Sequence, residues 1–150
     1  MRTNFESYDQ FSDYMIGQYP DMFKRYGGFD IGKGWYPIVD SLCNRIHHHV
    51  KWVNDRRERL LKENPHDLNI PNEIAPVVVD QVKEKFGGLR FYYTGGDDVV
   101  DGMVRMAESW AAHACEECGK PAHIRSEGWI RTLCDEHEEI RQQQMKERLA

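Results

Sequence analysis

Four residues near the C-terminal end, Cys115, Cys118, Cys134 and His137, constrain this chain more than anything else in it. They stand as a C-x2-C pair and a C-x2-H pair with fifteen residues between them. Two close pairs of soft ligands at that spacing can complete a tetrahedral shell around zinc without outside help. Four protein ligands also leave no open position for water or substrate, so the expected role of the ion is structural. Residues 1–9 hold no apolar run and no small-residue cleavage site, so the expected setting is a reducing cytoplasm where thiols bind metal rather than pair as cystines.

Local chemistry supports the same ligands. Gly119 follows Cys118 and suits a tight knuckle that needs a left-handed residue. Cys134 and His137 are three apart, which puts them on one face at the start of a helix whose dipole favours an ionised Cys134. Residues 123–132 read as a short hairpin turning near Gly128. Knuckle, hairpin and helix together resemble a treble-clef zinc finger.

A chain of 150 residues with 40% hydrophobic content can bury one ordinary core. The simplest organisation is a core over residues 1–114 and a zinc module over residues 115–150, joined rigidly. A net charge of −5 argues against a general DNA binder, and no run of residues is apolar enough to span a membrane.

The pattern predicts an α+β fold that is mainly helical. Phe5, Tyr8, Phe11 or Ser12, and Met15 mark a helix over residues 4–18, and Pro20 begins a second turn. Four glycines in residues 26–35 predict loop or tight turn. Lys33 and the helix start at Trp35 could cradle phosphate, although no complete phosphate motif is present. Val39, Leu42, Ile46, Val50, Val53 and Leu60 then mark a long central helix over residues 36–62. His47, His48 and His49 lie on it about 100° apart and cannot converge on one ion; His49 is nearest the apolar stripe. Cys43 reads as a small buried apolar side chain.

After a connector at 64–76, the clearest strand signal is a β-hairpin at 77–94, turning at Gly87-Gly88. That turn sets Phe86 opposite Leu89, Glu84 opposite Phe91 and Val82 opposite Tyr93 on the core face. On the other face it sets Lys85 opposite Arg90 and Lys83 opposite Tyr92. Like charges facing each other point to an anion between them, or to a solvated sheet face. Asp80 and Glu84 on one face are candidates for a second metal and metal-dependent hydrolysis, but no (D/E)-x-K triplet accompanies them on the strand. Asp97-Asp98 caps a helix whose apolar positions are Val99, Met103, Met106, Ala107, Trp110 and Ala114, running into the knuckle. The stretch after Asp135 reads as a solvated helix or an arm for a partner.

The segments Gly32-Lys33-Gly34-Trp35-Tyr36 and Lys83-Glu84-Lys85-Phe86-Gly87-Gly88-Leu89-Arg90-Phe91-Tyr92, with the ligand pairs around Gly128-Trp129-Ile130, carry a likeness. The chain resembles a family of small phage, prophage and bacterial proteins for which no reaction is established. The resemblance implies an accessory protein in a bacterial cytoplasm. Three functions follow as expectations, and no residue is assigned as catalytic. The first is a zinc-stabilised binding protein for a host or defence protein. The second is a nucleic-acid or nucleotide binder using Lys83, Lys85, Arg90, Tyr92, Arg125 and Arg131, with Trp129 exposed beside them. The third is a metal-dependent nuclease on Asp80 and Glu84.

Overall fold

The structure, a computed structural model, describes residues 4–25 and 27–150. It is α+β, with helices α1 (Tyr8–Gln18), α2 (Tyr36–Glu63), α3 (Asp98–Ala111) and α4 (Asp135–Leu149). Strands β1 (Phe29–Asp30), β2 (Val78–Lys85) and β3 (Gly88–Thr94) form one sheet in that order, and β4 (His123–Arg125) pairs with β5 (Arg131–Leu133) in a second. Among the described residues, no helix is long and apolar enough to cross a membrane.

Helix α1 begins later than its apolar spacing predicts, because the Ser7 hydroxyl accepts from the Gln10 amide at 3.2 Å and caps it there. Phe5, left outside the helix, still packs on the core edge-to-face with Phe11. Pro20 opens one hydrogen-bonded turn, closed by Met22 and Phe23 amides on the Tyr19 carbonyl. The glycine-rich run, of which Tyr26 lies outside the described residues, is not all loop. Phe29 and Asp30 make a short strand parallel to β2, opposite Val82 and Lys83. Two residues are too few for a periodic signal, and Phe29 earns its place by packing on Phe11 and Phe23.

Helix α2 is the spine. Its first half buries Tyr36, Val39, Leu42, Cys43 and Ile46, with Tyr36 stacked on Phe11 at 4.0 Å. Its second half leaves the core, and there the 64–76 connector runs back along it: Asn54 bonds both backbone groups of Ile74, and Arg57 donates to the Pro71 carbonyl. Val53 and Leu60 are therefore only partly covered, unlike the first half of the stripe.

The β2–β3 turn differs from expectation by one residue. Its central residues are Phe86 and Gly87, at φ 51° and 80°, both positive as a type I′ turn requires. Lys85 faces Gly88, Glu84 faces Leu89, Lys83 faces Arg90 and Val82 faces Phe91, while Tyr92 faces Gln81 across a bulge at Asp80. Moving the turn by one residue slides the strands by two positions, so the faces survive and the partners change. Val82, Leu89 and Phe91 are buried as predicted, but Phe86 is in solvent.

Helix α3 is capped by Asp97, whose carboxylate accepts from the Val100 amide at 3.0 Å. Its rotation differs from the predicted stripe. Val100, Val104, Ala107 and Ala111 are buried, whereas Val99, Met106 and Trp110 are exposed. Two bonds fix that phase: Asp97 to His49 of α2 at 2.9 Å, and Glu108, which accepts from the Phe91 amide on the outer edge of β3. The helix ends at Ala111, before the knuckle, and the chain turns into an Ala114–Pro121 bridge.

Candidate metal centre

The knuckle closes as its sequence suggests. The Gly119 amide donates to the Cys115 carbonyl at 2.7 Å with Gly119 at φ 79°, and the Cys115 amide donates to Lys120. The β4–β5 hairpin follows, turning through Gly128 at φ 72°. Cys134 then caps α4, its Sγ accepting from the His137 amide at 3.5 Å.

These elements bring Cys115, Cys118, Cys134 and His137 together, with their ligand atoms all within 4.8 Å of one another. Cys115 and Cys134 are buried, His137 is half-buried and Cys118 is exposed. The spacing fits a metal. Bonds of about 2.3 Å to sulfur and 2.1 Å to nitrogen give tetrahedral edges of about 3.8 Å between sulfurs and about 3.6 Å from sulfur to nitrogen. Cys118 and Cys134 Sγ are 3.8 Å apart, and Cys115 and Cys134 Sγ lie 3.6 and 3.3 Å from His137 Nδ1. A 3.8 Å sulfur separation is far beyond a disulfide bond, so the thiols are arranged around a point rather than bonded to each other.

Electrostatics around the thiols favour the same reading. Burial opposes ionisation of Cys115, but amides of Cys134, Cys118 and Glu117 outweigh it and hold its pKa below the ordinary thiol value. Cys118, exposed as a residue, is pushed up to about 11 by partial desolvation of its thiol and by the neighbouring Cys115 and Cys134, against the Lys120 amide. Crowded thiols cannot all ionise on their own, and a divalent cation supplies the charge that lets them.

The glycine-rich run performs a task its motifs did not announce. The Gly34 amide donates to the Glu116 carbonyl at 2.8 Å and the Gly32 amide to the Glu116 carboxylate at 2.9 Å. A Cβ on Gly34 would fall 2.1 Å from the Cys115 carbonyl oxygen, and one on Gly32 would fall 2.4 Å from that of Glu116. The anion cradled here is thus a side chain of the knuckle itself. Trp35, fully buried, adds a 2.8 Å bond from Nε1 to the Ala114 carbonyl. Burial raises the Glu116 carboxyl above the usual range, the Gly32 amide and Arg131 partly offset that, and the Glu84 charge adds to it.

A second contact joins the metal module to the β2–β3 turn. Thr132, fully buried on β5, donates from Oγ1 to the Gly87 carbonyl at 2.6 Å, and the Gly87 amide donates to Glu84. Sequence reasoning did not single out Glu116, Thr132, Gly32 or Gly34 for this docking, since each is a lone residue whose partner lies far along the chain.

The other candidate residues divide. Lys83, opposite Arg90, also lies beside Asp30 of β1. Lys85 sits over the exposed Phe86 ring at 5.9 Å, and Tyr92 is exposed. Arg125 bonds the Leu133 carbonyl and Asp135, and Arg131 bonds Glu117 at 2.6 Å with Glu116 at 3.5 Å. Trp129 stands in solvent at the hairpin tip. Asp80 pairs with Arg25 and Glu84 with the turn amide, so the two carboxylates serve different partners. His49 bonds Asp97, while His47 and His48 are exposed. No protein-family model, curated protein or solved structure matches the chain.

Proposed function

We propose that this chain is a phage-type accessory protein that acts in a bacterial cytoplasm by binding a host or defence protein, with structural zinc in a treble-clef module. The surface proposed for the partner is formed by the tips of the two hairpins, Phe86 and Trp129, flanked by Lys85. One observation carries the proposal. Phe86 is a bulky residue in the left-handed region, 71% exposed, on a turn that the metal module buttresses. Left-handed backbone disfavours such a side chain, and an exposed aromatic ring gains nothing from folding. Contact with a partner would give the ring a use. Trp129, 76% exposed, supplies a second aromatic anchor of the kind that dominates protein interfaces.

Affinity capture from the bacterial host tests this, comparing the wild-type chain with Phe86→Ala and Trp129→Ala at unchanged zinc content. A partner retained by wild type and lost by both variants supports the reading. Equal capture by all three, or none by any, contradicts it.

The nucleic-acid reading rests on one feature, Lys83 facing Arg90 across the hairpin. It is weaker because Arg125 and Arg131 are held by carboxylates. It predicts steeply salt-dependent binding that Lys83→Ala with Arg90→Ala abolishes; retention of nucleic acid by that double variant disposes of the site assignment.

A further inference from the structure

Helix α3 carries two apolar faces, and the fold covers one. The outer face presents Met106, 69% exposed, and Trp110, 63% exposed. With the first turns of α2 it walls a groove of about 680 Å³ lined by Ile38, Leu42, Arg45, Gly102, Met106 and Trp110. Gly102 is the odd member. It lies in the interior of a 14-residue helix, where glycine weakens the element relative to alanine. A Cβ built there meets nothing within 4 Å, so no packing inside the molecule calls for its absence.

Gly102, Met106 and Trp110 follow one another at intervals of four, forming one ridge along the helix. A helix that filled this groove would need a large side chain over the notch at Gly102 and a small one under the Trp110 indole. The same ridge read in the opposite direction supplies both, because Gly102 and Trp110 are equidistant from Met106. We infer that the groove is the two-fold contact of a homodimer, with α3 of each copy crossing the other antiparallel at Met106.

The charge agrees with that occupant. Helices α2 and α3 run antiparallel: His49 meets Asp97 at one end, and Ile38 and Trp110 share a cleft beside the knuckle at the other. Arg45 therefore lies toward the Gly102 end of the groove. In the crossed pair the partner's Trp110 arrives there, and a guanidinium beside an indole face is a favourable contact. Such an arrangement is isologous, each copy giving a notch and receiving an indole.

Sedimentation equilibrium on the zinc-loaded full chain, from low micromolar to several hundred micromolar, tests the inference. The expected result is a reversible dimer whose dissociation constant rises about tenfold or more with Gly102→Leu, which fills the notch, and with Trp110→Ala, which removes the indole. Leu68→Ala, at an exposed connector position, leaves it unchanged. Should Gly102→Leu fail to fold by circular dichroism, Trp110→Ala and Arg45→Glu decide, since both alter exposed side chains. A monomer at every concentration overturns the inference, including one whose groove takes up an added amphipathic peptide. So does a dimer indifferent to these changes.

Discussion

The core and the C-terminal module are held by different physics. In the core, a continuous apolar cluster runs from Phe11 through Trp35, Ile46 and Val82 to Ala114, and aromatic rings interlock at its centre. In the module the buried apolar cluster is Cys115, Ala122, Leu133 and Cys134, and α4 buries no residue at all. Two of those four are candidate metal ligands. Burying one leucine is worth about 1.5–3 kcal/mol, while fixing each backbone residue costs about 1–2 kcal/mol, so apolar burial alone cannot order the module. The structure provides two further sources of order, a Cys3His cluster with the geometry to hold a metal ion and a docking surface on the core. The lesson is that the glycines at 32 and 34 belong to the module as much as to the core.

The largest break in that contrast comes from the ligands. Cys134→Ser should lose about one metal equivalent by elemental analysis, and amides of residues 115–150 should lose exchange protection while α1 and α2 keep theirs. Next is the seam between the regions. Gly34→Ala forces a methyl into the Cys115 carbonyl and should destabilise the protein by about 3 kcal/mol or more in chemical denaturation. Within the core, Asp97→Ala removes a helix cap and the His49 contact and should cost about 1–2 kcal/mol.

Asp97 also predicts a pH dependence. Burial works against its ionisation, but bonds from His49 and the Val100 amide win and hold its carboxyl below the ordinary value. A lowered carboxyl pKa means stability present above the unfolded-state value and lost as pH falls through the folded one. Denaturation midpoints of wild type and Asp97→Asn should therefore converge in acid. The smallest effect has the opposite sign: Phe86→Asn relieves the left-handed strain and should stabilise the fold by about 0.5–1 kcal/mol, while weakening partner capture.

What was legible in the sequence was local. Cys115, Cys118 and Gly119 lie within a few residues of each other, as do Cys134 and His137, and the chemistry of each pair was readable without a fold. Helix α2 and the hairpin announced themselves by period. Single-residue phases were harder. Gly87-Gly88 looked like the turn because glycine tolerates positive φ, yet Phe86 takes that conformation in a register that sets Val82 against Phe91 and Leu89 against Glu84. Likewise α3 offers apolar residues over most of its circumference, so periodicity alone could not say which side faces inward; His49 and Phe91, both distant in sequence, decide it. The docking of Glu116 into Gly32 and Gly34 was hidden for the same reason, since it spans more than eighty residues of chain.

A metal held by Cys115, Cys118, Cys134 and His137 would act as a clamp that orders the module and, through Thr132, the Phe86-Gly87 turn. Hydrogen exchange on the full chain before and after metal removal by a chelator tests it most directly. The expected result is loss of protection across residues 115–150 and at Gly87 and Gly88, with α1 and the first half of α2 unchanged. Unaltered protection of the module in metal-free protein would contradict it.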